Sequence, residues 1–171
     1  MSRVHILETD RTYFSKWHKD DLDLAILLWS NSDVCRYICK SGVFSRQEII
    51  NRLDLEINND IKYNIQYWPI FNINNDEFMG CCGLRINNNK YEIGFHLLPN
   101  YWHQNYAYEC ANKVIDYAFN KLDIDLLIAG HNPNNLASKK VLTRLGFKYI
   151  KDEYYKPTKL FHATYELRRE Y

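Results

Sequence analysis

Tyr91-Glu92-Ile93-Gly94-Phe95-His96-Leu97-Leu98-Pro99-Asn100-Tyr101-Trp102-His103-Gln104-Asn105-Tyr106-Ala107-Tyr108-Glu109 is the stretch whose reading decides the fold. Its first half has the aromatic and β-branched residues of a strand, roughly 90–97, that ends before Pro99. Its second half opens a helix over about 104–121, because Ala107, Cys110, Ala111, Val114 and Ala118 recur on one face. A strand that feeds through a short loop into a long helix has a chemical consequence. The first amides of a helix lack internal acceptors and the dipole is positive there, so this end suits an anion.

Working outward, residues from about Ile6 to Trp17 read as a first strand, and Asp20 or Asp21 as the cap of a helix with the stripe Leu22, Ala25, Ile26 and Trp29. Ser45-Arg46-Gln47-Glu48 fits a capping box ahead of a helix that buries Ile49, Leu53 and Ile57. Strands over roughly 62–72 and 78–85 follow, divided by Asn-rich turns, with Pro69 expected at an edge or bulge. Beyond the long helix, Ile124 to Ala129 reads as a buried strand. A short helix then turns Ala137, Val141, Leu142 and Leu145 inward and ends at Gly146. Two strands, near 147–154 and 160–168, complete the order β-α-α-β-β-β-α-β-α-β-β. That order predicts an α/β class with a mixed sheet of about seven strands and about four helices on both faces. No linker, repeat or low-complexity block interrupts it, so residues 1–171 are read as a single domain.

Composition removes several function classes. The 171 residues are 46% apolar and 25% charged, as in a folded domain with its own core. With 22 basic and 21 acidic residues the net charge is +1, so the excess that displaces counterions from nucleic acid is missing. No run of about 18 apolar residues exists, and no membrane association is expected. The opening Met1 to Glu8 lacks the apolar core of a secretory leader. Five cysteines without framework spacing point to reduced thiols and a cytoplasmic location. Cys35 and Cys39 are four apart and Cys81-Cys82 are adjacent; neither makes a CxxC pair, so no metal is expected and burial is the simpler reading.

A second stretch, Asn132-Pro133-Asn134-Asn135-Leu136-Ala137-Ser138 running to Leu145-Gly146-Phe147, joins the first. Together, in this element order, they resemble the GNAT superfamily of N-acetyltransferases, and within it the RimJ/RimL type of ribosomal-protein N-terminal acetyltransferase. Gly80-Cys81-Cys82-Gly83-Leu84 and Tyr165-Glu166-Leu167 add weaker likeness. The resemblance implies a twisted, mostly antiparallel GNAT sheet, acetyl-CoA as cosubstrate, and direct acetyl transfer to an amine in a ternary complex. It places the CoA pyrophosphate on the amides of about His103, Gln104, Asn105, Tyr106, Ala107 and Tyr108. It lays the thioester along Phe95, His96 and Leu97, where a backbone amide donates to the carbonyl oxygen if the strand splays from its neighbour. It assigns Asn135 to the pantetheine arm and Ser138 to the vicinity of the sulfur. One departure matters. The family usually has Gln or Arg, two residues, Gly, one residue, then Gly or Ala; here these places hold Trp102, Asn105 and Ala107. Glycine serves there because it tolerates positive φ, and Asn is the next most tolerant residue. Read locally, the same residues have plainer roles: a strand-to-helix turn, Asn135 as an N-cap, and Ser138 on the surface.

For the chemistry, Glu92 and His96 share one face of their strand with Gly94 between them. His96 titrates in a useful range, and Glu92 can act directly or through water; the alternative for His96 is a hydrogen-bonded sheet histidine. Many relatives carry Tyr four residues after the Ser138 position as general acid, but this chain has Leu142, which leaves Ser138 or water. A thiol leaves tolerably well without help, its pKa being about 8.5. Deprotonating an α-amine at pH 7 costs about 1 kcal/mol against about 4.6 kcal/mol for lysine, so a protein or peptide N-terminus is the favoured acceptor. By analogy the loop from about Tyr37 to Phe44 and the strand near Trp68 wall its pocket. The competing expectation is an acyl-CoA-binding module without activity, motivated by the missing glycine and tyrosine. A homodimer stays open.

Overall fold

Thr9 folds the chain back on itself, so what reads as one strand over 6–17 is two. The Thr9 amide donates to Thr12 O at 2.8 Å, and Thr9 Oγ1 accepts from the amides of Arg11 and Thr12. β1 (Leu7–Glu8) therefore pairs antiparallel with β2 (Thr12–Phe14). The computed structural model describes residues 3–170; Met1, Ser2 and Tyr171, which the single-domain and leader readings include, lie outside the described residues. α1 (Leu22–Trp29) buries Ala25, Leu28 and Trp29, with Leu22 and Ile26 half-buried. Asp21 precedes it but does not cap it, because the Asp21 carboxylate is taken by the His18 amide and by Arg3. A short α2 (Ser32–Cys35), not foreseen, starts where Asn31 Oδ1 accepts the amides of Asp33 and Val34.

The capping box forms: the Glu48 amide donates to Ser45 Oγ, and the Ser45 amide to Glu48 Oε2 at 2.7 Å. From it runs α3 (Arg46–Tyr63), which takes over the first residues assigned to the strand at 62–72 and stops where Asn64 adopts φ 55°. β3 (Tyr67–Asn72), β4 (Phe78–Asn87) and β5 (Lys90–Leu97) form a meander. Pro69 lies inside the sheet rather than at an edge. Its carbonyl accepts from Ser15, so its missing N–H also faces β2, which has just ended, and the register slips one residue later. α4 (Tyr106–Asn120), β6 (Leu126–His131), α5 (Leu136–Arg144), β7 (Lys148–Tyr155) and β8 (Leu160–Arg168) follow. Gly146, at φ 89°, ends α5 as expected, but Ala137 is exposed, and Leu142 alone on that helix is fully buried.

The described residues thus form eight strands and five α-helices, in the sheet order β1-β2-β3-β4-β5-β6-β8-β7. Helices α1 to α3 cover one face, with Tyr67, Phe71 and Cys81 beneath them; α4 and α5 cover the other, over Trp68, Ile70 and Cys82. The adjacent cysteines point into opposite cores, and all five thiols are free and buried. Burial pushes Cys35, Cys81 and Cys110 up to about 12, which leaves them unreactive. No helix among the described residues is long and apolar enough to cross a membrane.

Candidate active site

The one parallel pairing in the sheet, β5 with β6, is short: it joins Tyr91 to Leu127 and Glu92 to Ile128 and goes no further. β6 then continues against β8 to His131 while β5 continues against β4 to Leu97, so the two strands part. The Leu98 amide donates to Met79 O on β4. By the alternation of a strand, His96 and Gly94 also turn their backbone to β4, whereas Phe95 and Leu97 turn theirs into the opening. Trp102 Nε1 donates to Leu97 O from that side at 2.8 Å. Of the three residues assigned to the thioester, Phe95 and Leu97 have backbone groups facing the gap. His96 contributes its side chain on the opposite face.

The loop after β5 delivers the N-terminus of α4 to the same opening. Asn105 sits at φ 69°, the left-handed geometry that its identity permits, and His103 is left-handed as well, at φ 59°. The first internal bond of the helix runs from the Glu109 amide to Asn105 O. Among the described residues, no hydrogen bond of normal geometry joins an amide from His103 through Tyr108 to a protein acceptor, although residues 102–105 form a turn. That is a run of six donors with a helix dipole behind them. Arg11 braces the loop: Nε donates to Glu109 Oε2 at 2.8 Å, Nη2 donates to Gln104 O at 3.0 Å, and the guanidinium lies 3.9 Å from the Tyr106 ring centre. Arg144 of α5 donates to Asn105 Oδ1 and stacks at 3.8 Å on Tyr108, which brings a cation to the rim. Neither arginine was identifiable from sequence, since each meets the loop across a tertiary contact rather than a motif.

Asn135 is the N-cap of α5, its Oδ1 accepting from the Ser138 amide at 3.1 Å. This is the local role weighed for it, and it leaves the Asn135 NH2 group as the donor for anything further. Ser138 is half-buried in the first turn, and Leu142 is packed into the core at 2% exposure.

On the face under α1 and α3, Glu92 and His96 do lie together, within a larger polar cluster. Tyr67 OH donates to Glu92 Oε1 at 3.3 Å and Asn87 Nδ2 to Glu92 Oε2 at 2.8 Å. Gly94 makes room for that phenol, since a Cβ there would lie 2.4 Å from Tyr67 OH. Trp29 Nε1 donates to His96 Nδ1 at 3.3 Å, with Cys81 Sγ at 3.8 Å. Nδ1 is therefore an acceptor, and burial, aided by the charges of Arg52 and Arg85, holds His96 well below its usual pKa. The imidazole is neutral with its proton on Nε2. Beneath it, the fully buried Glu56 accepts from Arg85 through Oε1 and from the Tyr67 amide through Oε2 at 2.8 Å. Arg85 also lies 3.9 Å from the Tyr67 ring centre. Among the described residues no group of three or more His, Cys, Asp or Glu could hold a metal ion.

A mixed sheet that opens between two parallel neighbours, with a helix N-terminus at the mouth, is the frame of an acetyltransferase fold. The chain belongs to the GNAT acetyltransferase family: the model described as "Acetyltransferase (GNAT) domain" matches residues 11–148. It is 27% identical over 148 residues to "Uncharacterized N-acetyltransferase p20" of Bacillus licheniformis, covering 85% of this chain and 83% of that one. Among solved structures, a GNAT-family acetyltransferase from Bacillus anthracis superposes with a TM-score of 0.78 at 22% identity over 95% of this chain and 97% of that one. RimL, a ribosomal L7/L12 α-N-protein acetyltransferase in complex with coenzyme A, gives 0.80 at 16% over 96% and 98%. These two share the fold.

Proposed function

We propose that this acetyltransferase uses acetyl-CoA to acetylate a primary amine, and that the acceptor is the α-amine of a peptide or protein. The observation that carries the reading is the run of free amides from His103 to Tyr108 beside the split between β5 and β6. Those amides, with Arg144 at the rim, receive the pyrophosphate; the Asn135 NH2 group and the backbone of Phe95 receive the pantetheine arm. Acetyl-CoA supplies an activated thioester carbonyl. The Leu97 amide donates to that carbonyl oxygen as charge develops on it. Glu92, held by Tyr67 and Asn87, accepts the amine proton through water. His96 orients rather than accepts, because its free lone pair is already occupied by Trp29. Ser138 or water returns a proton to the departing thiolate. The α-amine is favoured on acidity, and the name of the RimL neighbour is consistent with it.

Two measurements test the reading. Acetyl-CoA at about 100 times its Kd should add about 2.7 kcal/mol of stability in a thermal-shift assay. Thiol release should be faster with N-terminal peptides than with lysine side chains. A clear lysine preference removes the α-amine assignment; the absence of any shift removes the cofactor.

A further inference from the structure

Arg52, on the inner face of α3, forms no ion pair among the described residues, although Glu56 lies close enough to attract it. Its side chain is half-buried, and its Nε is buried without an acceptor. The ring of Trp29 lies 4.9 Å away and that of Phe44 4.7 Å away. The acids one helical turn to either side, Glu48 and Glu56, are the natural partners for an arginine on a helix. Both are committed elsewhere: Glu48 turns back to the Ser45 amide, and Glu56 is filled by Arg85 and the Tyr67 amide. Arg85 adds a second positive charge nearby, which makes the place still less suited to an unpaired cation.

The aromatic rings and the field of Glu56 offset part of the desolvation of this cation, and an anion on its unmatched Nε side would offset more. The location says what brings the anion. Trp29, which stacks against Arg52, also donates to His96, so the guanidinium shares a wall with the face where Glu92 waits for the amine. Phe44 in turn lines a surface hollow together with Cys39, Lys40, Ser41, Glu48 and Pro157. With aromatic rings against it, the planar fork matches the two oxygens of a carboxylate.

We propose that Arg52 binds a carboxylate of the acceptor, so that the substrate is an amine that also carries an acidic group. This rests on the acetyl-transfer reading above: it keeps the α-amine, adds an acidic group to the acceptor, and extends the class from peptides to free amino acids. The carboxylate belongs either to a free amino acid or to an acidic side chain near a peptide N-terminus, and matched pairs separate the two: free leucine against leucinamide, and a tripeptide amide containing aspartate against one containing asparagine. Thermal shift of the CoA-loaded protein is read for each. The expected result is stabilisation by the charged member of one pair at concentrations at least tenfold lower than its amide. Arg52→Gln should abolish that difference, and in turnover it should raise KM for the charged acceptor far more than it lowers kcat. Should Arg52→Gln fail to fold, the desamino analogue of the preferred acceptor serves instead: it should compete with acceptor and not with acetyl-CoA. Equal behaviour of charged and amide members in both pairs overturns the inference and leaves acetyl transfer standing. No shift with CoA itself would overturn the reading beneath it.

Discussion

At the scale of single residues, Asn105 carries the departure from the family's glycine. Its φ of 69° is a conformation glycine adopts freely and a β-branched side chain does not. Asn105→Gly should therefore keep acetyl-CoA affinity within a few-fold, and Asn105→Val should weaken it about tenfold or more, since left-handed backbone costs roughly 1–2 kcal/mol for most residues. Isothermal titration distinguishes the two; equal affinities would show that the loop conformation is immaterial. His96 makes a second prediction. Its pKa lies below the unfolded value of about 6.5, so between the two the unfolded chain binds more protons, and stability is lost as pH falls below about 6.5. His96→Asn should lose less melting temperature than the parent between pH 7 and pH 5; an equal loss would contradict the neutral imidazole. Asn105 was legible because backbone tolerance is a property of residue type. Arg52 was not, because an arginine at a helical position looks like a solvated one until Trp29 and Phe44 are brought to it from other elements.

At the scale of elements, β5 does two jobs with its two sides. One face holds Glu92 and His96, and the backbone edge offers Phe95 and Leu97. Gly94 keeps these compatible by admitting Tyr67 OH. Gly94→Ala should push the phenol off Glu92 and reduce kcat about tenfold or more, with acetyl-CoA affinity nearly unchanged because the edge faces elsewhere. A variant that instead lost cofactor affinity with kcat intact would reverse the roles assigned to the two sides. Where local chemistry sets an element, the sequence reading held: the Ser45 capping box, the Gly146 stop and the apolar stripe of α4 are all present. It erred where the deciding feature was a side chain acting on a backbone turn or a single left-handed residue. Thr9 divides the first strand, Asn31 starts an extra helix, and Asn64 rather than a strand signal ends α3.

At the scale of the whole molecule, the sheet is continuous from β1 to β7 except along the far half of β5 and β6. Element order alone implied a mixed sheet, and the structure shows β5 and β6 as its parallel neighbours, bridged by α4. That they separate after Glu92 could be taken only from family likeness, because strand splay depends on how Trp102 and the loop behind it fill the gap. Acetyl transfer as proposed requires that gap and the amides beside it to form a single cofactor cradle. Residue-resolved hydrogen exchange of the native chain, with and without acetyl-CoA, addresses this directly. Protection is expected at Phe95, Leu97 and His103 through Tyr108 together, while α3 and β7 stay unchanged. Exchange at those amides that is unaltered by saturating acetyl-CoA would contradict it.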